Sequence, residues 1–145
     1  MTVQRMDHVG VVVDDLQAAI DFFVALGLEA TDSWTVEGDS VDRVVGLEGV
    51  RSEVAFVQTP DGHSRLELCR FLSPPNDSEE RLAPPHAPGI RHLTFAVDDV
   101  DATLARLRPH GAELVGEVET YEGIYRLCYL RGPAGIIVEI AERLG

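Results

Sequence analysis

Met6-Asp7-His8-Val9-Gly10-Val11-Val12-Val13-Asp14-Asp15-Leu16 returns later in the chain as Ile90-Arg91-His92-Leu93-Thr94-Phe95-Ala96-Val97-Asp98-Asp99-Val100, at a constant offset of 84 positions. His8 meets His92, Val13 meets Val97, and the Asp14-Asp15 pair meets Asp98-Asp99. Further along, Ala18, Gly27 and Glu29 meet Ala102, Gly111 and Glu113. A second register, offset by 72, lays Arg65-Leu66-Glu67-Leu68-Cys69 on Ile137-Val138-Glu139-Ile140-Ala141, so Glu67 meets Glu139. The difference between the two offsets places an insertion in the first half, near Gly38 to Gly49. The chain is one module written twice.

Each copy follows the same grammar. A strand runs into an Asp-Asp pair, whose carboxylates suit a helix N-cap and the positive end of its dipole. Leu16, Ala19, Ile20 and Phe23 then recur at helical spacing, and Gly27 and its copy Gly111 are placed to end the helices. Strand-like stretches follow at 29–36, 52–58 and 64–71, with counterparts at 113–118, 125–131 and 136–141. Pro60-Asp61-Gly62 and Gly132-Pro133-Ala134-Gly135 read as turns. The inserted Ser40–Val45 reads as one or two helical turns capped by Asp39, with Val41–Val45 a candidate lid.

The fold expected is α+β: two tandem βαβββ modules, at 3–72 and 90–143, sharing one curved mixed sheet around a concave metal site as one structural unit. The joining stretch 73–89 holds five of the eight prolines, together with Asp77, Glu79 and Glu80, and reads as a linker.

Composition excludes several functions. Twenty-five acidic against 12 basic residues give a net charge of −13, which repels phosphate backbones and argues against nucleic acid. All 12 basic residues are Arg, so Schiff-base chemistry and a phosphate-loop lysine are excluded. Two cysteines, Cys69 and Cys128, make no disulfide framework. No apolar run approaches the ~18 residues of a membrane span. Val3 to Val13 reads as a strand and not as a signal peptide. A cytoplasmic protein without membrane or nucleic-acid partners is expected.

Strand alternation identifies the side chains on the concave face. Val9, Val11 and Val13 should pack on the first helix, leaving His8, Gly10 and Val12 on the other side. Leu93, Phe95 and Val97 repeat this, leaving His92, Thr94 and Ala96. In the closing strands Arg65, Glu67 and Cys69 share one face, as do Ile137, Glu139 and Ala141. One His and one Glu from each module thus face one way. Glu139 is flanked by Ile136-Ile137-Val138 and Ile140-Ala141. A carboxylate in such company needs a cation, a donor or a metal. Donors of two His and two Glu without thiolate suit one divalent ion, Zn, Ni, Co, Mn or Fe. Two carboxylates neutralise it, and a six-coordinate ion keeps two positions for a substrate with vicinal oxygens. Trp34 and Phe56 either line the concave face or fill the core, the core being favoured for large aromatics, and Cys69 suits packing better than ligation.

Paired βαβββ modules with His8 and His92 on the first strands and Glu67 and Glu139 on the last resemble the vicinal oxygen chelate superfamily. That group contains glyoxalase I, methylmalonyl-CoA epimerase, extradiol dioxygenases and metal-free antibiotic-resistance proteins. The resemblance runs from Met6 to Glu142, and Gly132-Pro133-Ala134-Gly135-Ile136-Ile137-Val138-Glu139-Ile140 looks like the typical closing turn and strand. It implies a metal-dependent lyase or isomerase that enolises a small substrate through vicinal oxygens, with Glu67 or Glu139 as catalytic base and Glu67 preferred. Extradiol dioxygenases lack a fourth ligand where Glu67 stands, and the epimerases usually carry Gln there. An Fe(II)-dependent dioxygenase and a metal-free small-molecule-binding protein are the alternatives. Arg126 is the candidate clamp for a substrate carboxylate, with Tyr121 and Tyr125 beside it. Relatives of this kind dimerise, and exposed sheet edges give a physical reason to expect a homodimer.

Overall fold

The computed structural model describes residues 2–78 and 82–145. The chain divides into two compact units, Met1–Ser78 and Glu79–Gly145, with the division inside the proline-rich stretch. Glu79 and Glu80 of that stretch lie outside the described residues.

Unit 1 runs β1 (Val9–Val12), α1 (Leu16–Leu26), β2 (Glu29–Ala30), β3 (Trp34–Glu37), α2 (Asp39–Val45), β4 (Arg51–Gln58) and β5 (Arg65–Ser73). Its sheet has the order β1-β5-β4-β2, with β3 also paired to β4. β1 lies parallel to β5, and the other pairs are antiparallel. Unit 2 repeats the plan with β6 (His92–Val97), α3 (Val100–Leu107), β7 (Glu113–Leu114), β8 (Glu119–Tyr121), β9 (Tyr125–Arg131) and β10 (Ile137–Arg143). The order is β6-β10-β9-β7, with β8 on β9, and β6 is parallel to β10. The duplicated βαβββ plan is therefore present, as two mixed five-stranded sheets in place of the single shared sheet expected. Among the described residues each strand of either sheet finds its ladder partner inside its own module.

The caps fall where the duplicated aspartates put them. Asp15 accepts the Ala18 amide at 3.0 Å and Asp99 the Ala102 amide at 2.9 Å, each satisfying an otherwise orphaned first-turn donor. Asp15→Ala is expected to cost about 1 kcal/mol, read as a lower urea midpoint at unchanged slope, and Asp99→Ala should match it. Gly27 closes α1 with φ +124° and its amide on Phe23 and Val24. Gly111 instead caps a 3-10 turn, Arg108–His110, that follows α3, because Pro109 lacks the amide that would continue the α-helix. Asp39 is the first residue of α2 and not its cap. Gly38 takes the cap position, and Asp42 instead accepts the amides of Gly49 and Val50.

Each helix packs its apolar stripe on one face of its own sheet. Leu16, Ala19, Phe22, Phe23 and Leu26 of α1 are buried with Val11, Val13, Leu66 and Leu68. Val100, Leu104 and Leu107 of α3 are buried with Cys128, Leu130, Val138 and Ile140. His8, Gly10 and Val12 point to the face opposite α1 in unit 1, and His92, Thr94 and Ala96 to the face opposite α3 in unit 2, as alternation requires.

Candidate functional site

In unit 1 the parallel register sets Gly10 against Glu67, so His8, just before β1, stands diagonally beside that carboxylate. His8 Nε2 lies 3.7 Å from Glu67 Oε2, with both side chains about one third exposed. Two donors each about 2.1 Å from one ion can span that separation. On the other side of the ring, His8 Nδ1 lies 2.7 Å from Asp7 Oδ2. Asp7 also accepts from Arg65 at 2.7 Å and Arg5 at 2.9 Å. His8 first, then these arginines, hold its carboxyl well below the usual carboxylate range. An ionised Asp7 can only accept, so Nδ1 carries the proton. In the neutral ring Nε2 then keeps its lone pair toward Glu67. This is how a metal-binding histidine is oriented in general, with one nitrogen held by a carboxylate and the other left to the ion.

The rest of this face is aromatic and sulfur-bearing. The register sets Phe56 against Glu67, and its ring meets His8 edge-on at 5.3 Å. Trp34 stacks on Phe56 at 5.8 Å, and the Arg65 guanidinium sits 4.3 Å from the Phe56 centroid. Trp34 is 45% exposed, which favours the first of its two expected places, on the face of the sheet and not in the core. Its position on β3, at the margin of the sheet, leaves one ring face open. Cys69 Sγ donates to Glu67 Oε1 at 3.1 Å. Burial, then Glu67 itself, pushes this thiol up to about 12, so it remains a protonated donor at ordinary pH. Cys69 thus does more than fill space.

Unit 2 presents the same pair with different supporting residues. Thr94 stands opposite Glu139 and donates its hydroxyl to Oε1 at 2.7 Å, the donor that a carboxylate in this strand requires. Tyr129, opposite Glu139 on β9, is the counterpart of Phe56. Its ring tilts against His92 at 5.0 Å, and its hydroxyl lies 3.3 Å from His92 Nδ1. That contact engages Nδ1 of His92, whichever partner carries the hydrogen, and leaves Nε2 out of it. Asp7 and Tyr129 therefore serve the two histidines from different positions. Asp7 corresponds to Arg91 in the repeat, and Tyr129 corresponds to Phe56. The signal was present in the sequence as mismatches at those positions.

Among the described residues no group of three or more His, Cys, Asp or Glu side chains forms a metal-holding cluster. Each unit by itself supplies one imidazole and one carboxylate. The donor types fit a divalent ion of the Zn, Ni, Co, Mn or Fe series, and the Asp7-held tautomer of His8 fits ligation through Nε2.

The candidate substrate contacts divide. Tyr121 pairs with Tyr125, and alternation puts both on the face of Tyr129 and Glu139. Both are exposed. Tyr125 is opposite Arg143, four positions along β10 from Glu139, or about 13 Å. Arg126 points the other way, toward α3, and donates to both oxygens of Asp101 at 2.9 and 3.1 Å. A guanidinium held there does not share the face of Glu139, so the clamp expected of it is not what the structure shows. The pair has a pH signature instead. Arg126 holds the Asp101 carboxyl below its ordinary value of 3.8, so its contribution is complete above about pH 4 and is lost as pH falls further. Asp101→Asn should therefore lower the urea midpoint at pH 6, by an amount that shrinks as pH falls below about 4.

Residues 7–129 match the model of the Glyoxalase/Bleomycin resistance protein/Dioxygenase superfamily. A crystal structure of a glyoxalase family protein from Bacillus cereus superposes with a TM-score of 0.95 at 49% identity, covering 100% of this chain and 97% of that one. The uncharacterized protein YwbC of Bacillus subtilis is 27% identical over 143 residues, 97% of this chain and 98% of its own length. TnmS3, an antibiotic binding protein from Streptomyces sp. CB03234, shares the fold with a TM-score of 0.61 at 21% identity, covering 99% of this chain and 98% of its own. A family match over most of the chain and a duplicated His–Glu pair agree: the chain belongs to the Glyoxalase/Bleomycin resistance protein/Dioxygenase superfamily.

Proposed function

We propose that the protein is a metal-dependent lyase or isomerase of glyoxalase/epimerase type, with His8, Glu67, His92 and Glu139 as metal ligands and a divalent ion as cofactor. The observation that supports this most is the tautomer of His8. Asp7, itself held by Arg5 and Arg65, accepts a hydrogen bond from Nδ1 and leaves Nε2 facing Glu67 at 3.7 Å.

A bound ion supplies Lewis-acid polarisation of adjacent substrate oxygens. The chain's own residues do the remainder. Glu67, released from ligation when substrate binds, removes a proton from the carbon α to the carbonyl and returns it, a step that needs the carboxylate within hydrogen-bond reach of that carbon. Trp34 and Phe56 offer an apolar wall beside His8 that excludes water from the reacting carbon. The substrate is a small α-oxygenated carbonyl compound. The reading places the protein in the cytoplasm as a homodimer, with the free, buried thiols of Cys69 and Cys128 reduced. Among the described residues β1 and β6 each stand at the edge of their sheet, an edge that a second copy can pair with.

Elemental analysis of protein purified without chelator tests the metal. Reconstitution with Ni²⁺, Co²⁺, Zn²⁺ and Fe²⁺ against a hemithioacetal, a methylmalonyl thioester and a catechol tests the chemistry. Deuterium uptake from D₂O by one of the first two is the expected result, and O₂-dependent loss of the catechol would instead assign a dioxygenase. A second reading, metal-free sequestration of a planar small molecule, rests on the open ring face of Trp34. Ligand-induced quenching of the single tryptophan in chelator-treated protein, with no metal uptake, would establish it.

A further inference from the structure

The two carboxylates of the proposed metal centre are held in place by different groups. Glu139 Oε1 accepts from the Thr94 hydroxyl at 2.7 Å, across the β6–β10 ladder. Glu67 Oε1 accepts from the Cys69 thiol at 3.1 Å, two residues along its own strand. The repeat makes this a reciprocal exchange. Thr94 corresponds to Gly10, which stands opposite Glu67 as Thr94 stands opposite Glu139. Cys69 corresponds to Ala141, which has no donor to give. A hydroxyl is a full hydrogen-bond donor, whereas a thiol is a weak one, and bonds to an ionised acceptor widen the difference.

We propose that Thr94 and Cys69 are positioning residues that divide the labour of the two carboxylates. Thr94 pins Glu139 as the fixed ligand, and Cys69 leaves Glu67 loosely held and free to carry the substrate proton. This rests on the functional reading above and gives it a cause in the chain's own asymmetry. In the step, the substrate C–H bond breaks and its proton passes to Glu67 Oε2, the oxygen Cys69 does not occupy. The electron pair stays on the substrate as its enolate, and the same proton, or one exchanged with solvent, returns to carbon.

Gly10 makes the idea testable by transplantation. A Cβ at Gly10 meets nothing within 4 Å, and a β-branched residue suits a strand, so Gly10→Thr can recreate the Thr94 arrangement beside Glu67. Co²⁺ affinity by chelator competition is the first readout. Thr94→Val is expected to weaken it about tenfold, in line with loss of an outer partner of a metal ligand. Thr94→Ser should restore it, and Cys69→Ala should shift it by less than about threefold, as a weak donor allows. The second readout is deuterium uptake by a hemithioacetal. Gly10→Thr should slow it about tenfold with KM unchanged while tightening Co²⁺. Equal affinity losses for Thr94→Val and Cys69→Ala, or a Gly10→Thr protein unchanged in both readouts, would overturn the division of labour and leave the metal centre standing. A wild-type chain that takes up no Co²⁺ overturns the metal centre itself, and this inference with it. If Co²⁺ binds and the hemithioacetal exchanges no deuterium, the affinity series alone decides.

Discussion

Co²⁺ uptake is expected to fall by well over 100-fold when Glu139 is replaced by alanine, because the proposed function makes Glu139 a direct ligand and not merely one of the outer partners whose removal costs roughly 10–100-fold. The fold should survive. Glu139 is only partly buried, and its one hydrogen-bond partner among the described residues, Thr94, is exposed, so its freed hydroxyl turns to water. Glu139→Ala should therefore unfold close to the wild-type urea midpoint while failing to bind Co²⁺ in equilibrium dialysis. Undiminished uptake would remove Glu139 from the metal centre. Glu67→Gln is the companion. It retains a neutral oxygen donor but cannot take up a proton in the same way, so deuterium uptake should collapse even in protein that still binds Co²⁺.

Phe23→Ala should produce the largest loss of stability, about 3–5 kcal/mol, the range for removing a buried aromatic from a packed core. Phe23 has no exposed surface and meets Phe22 edge-on at 5.2 Å. Their helix is the main cover for the sheet that carries His8 and Glu67. A loss of that size is a large share of the ~5–15 kcal/mol that holds an ordinary domain folded. Chemical denaturation monitored by far-UV circular dichroism gives the midpoint. Hydrogen exchange mapped by peptide should show faster exchange over β4 and β5. A loss below 1 kcal/mol would mean that the neighbouring side chains close the cavity, contrary to the tight packing of α1 on the sheet.

Much of this arrangement was legible in the chain because the relevant rules are local. The duplicated Asp-Asp pairs predict two N-caps, and Asp15 and Asp99 are those caps. Alternation along four short strands assigns His8, Glu67, His92 and Glu139 to the faces turned away from the helices, and the register agrees. Where prediction missed, the missing information was cross-strand. Trp34 looked like core material because it is large, yet its neighbour across the ladder is Val54, and β3 lies at the sheet's margin. Arg126 looked like a clamp because it borders a loop, but its parity within β9 turns it to Asp101. The end of α3 moved because Pro109 forces a change of helix type before Gly111 is reached.

The residues alone determined the duplication, the caps, the buried stripes and the choice of face for each histidine and glutamate, since these follow from periodicities of 3.6 and 2 and from which side chains can replace a missing backbone partner. Only the tertiary structure decided what each of those four side chains touches. Asp7 holds His8 and Tyr129 meets His92, while Cys69 supports Glu67 and Thr94 supports Glu139. Two of these contacts cross ladders whose ends are more than 35 residues apart in the chain, and a pairing register is a property of two strands together, set by hydrogen bonds that neither strand's own pattern specifies.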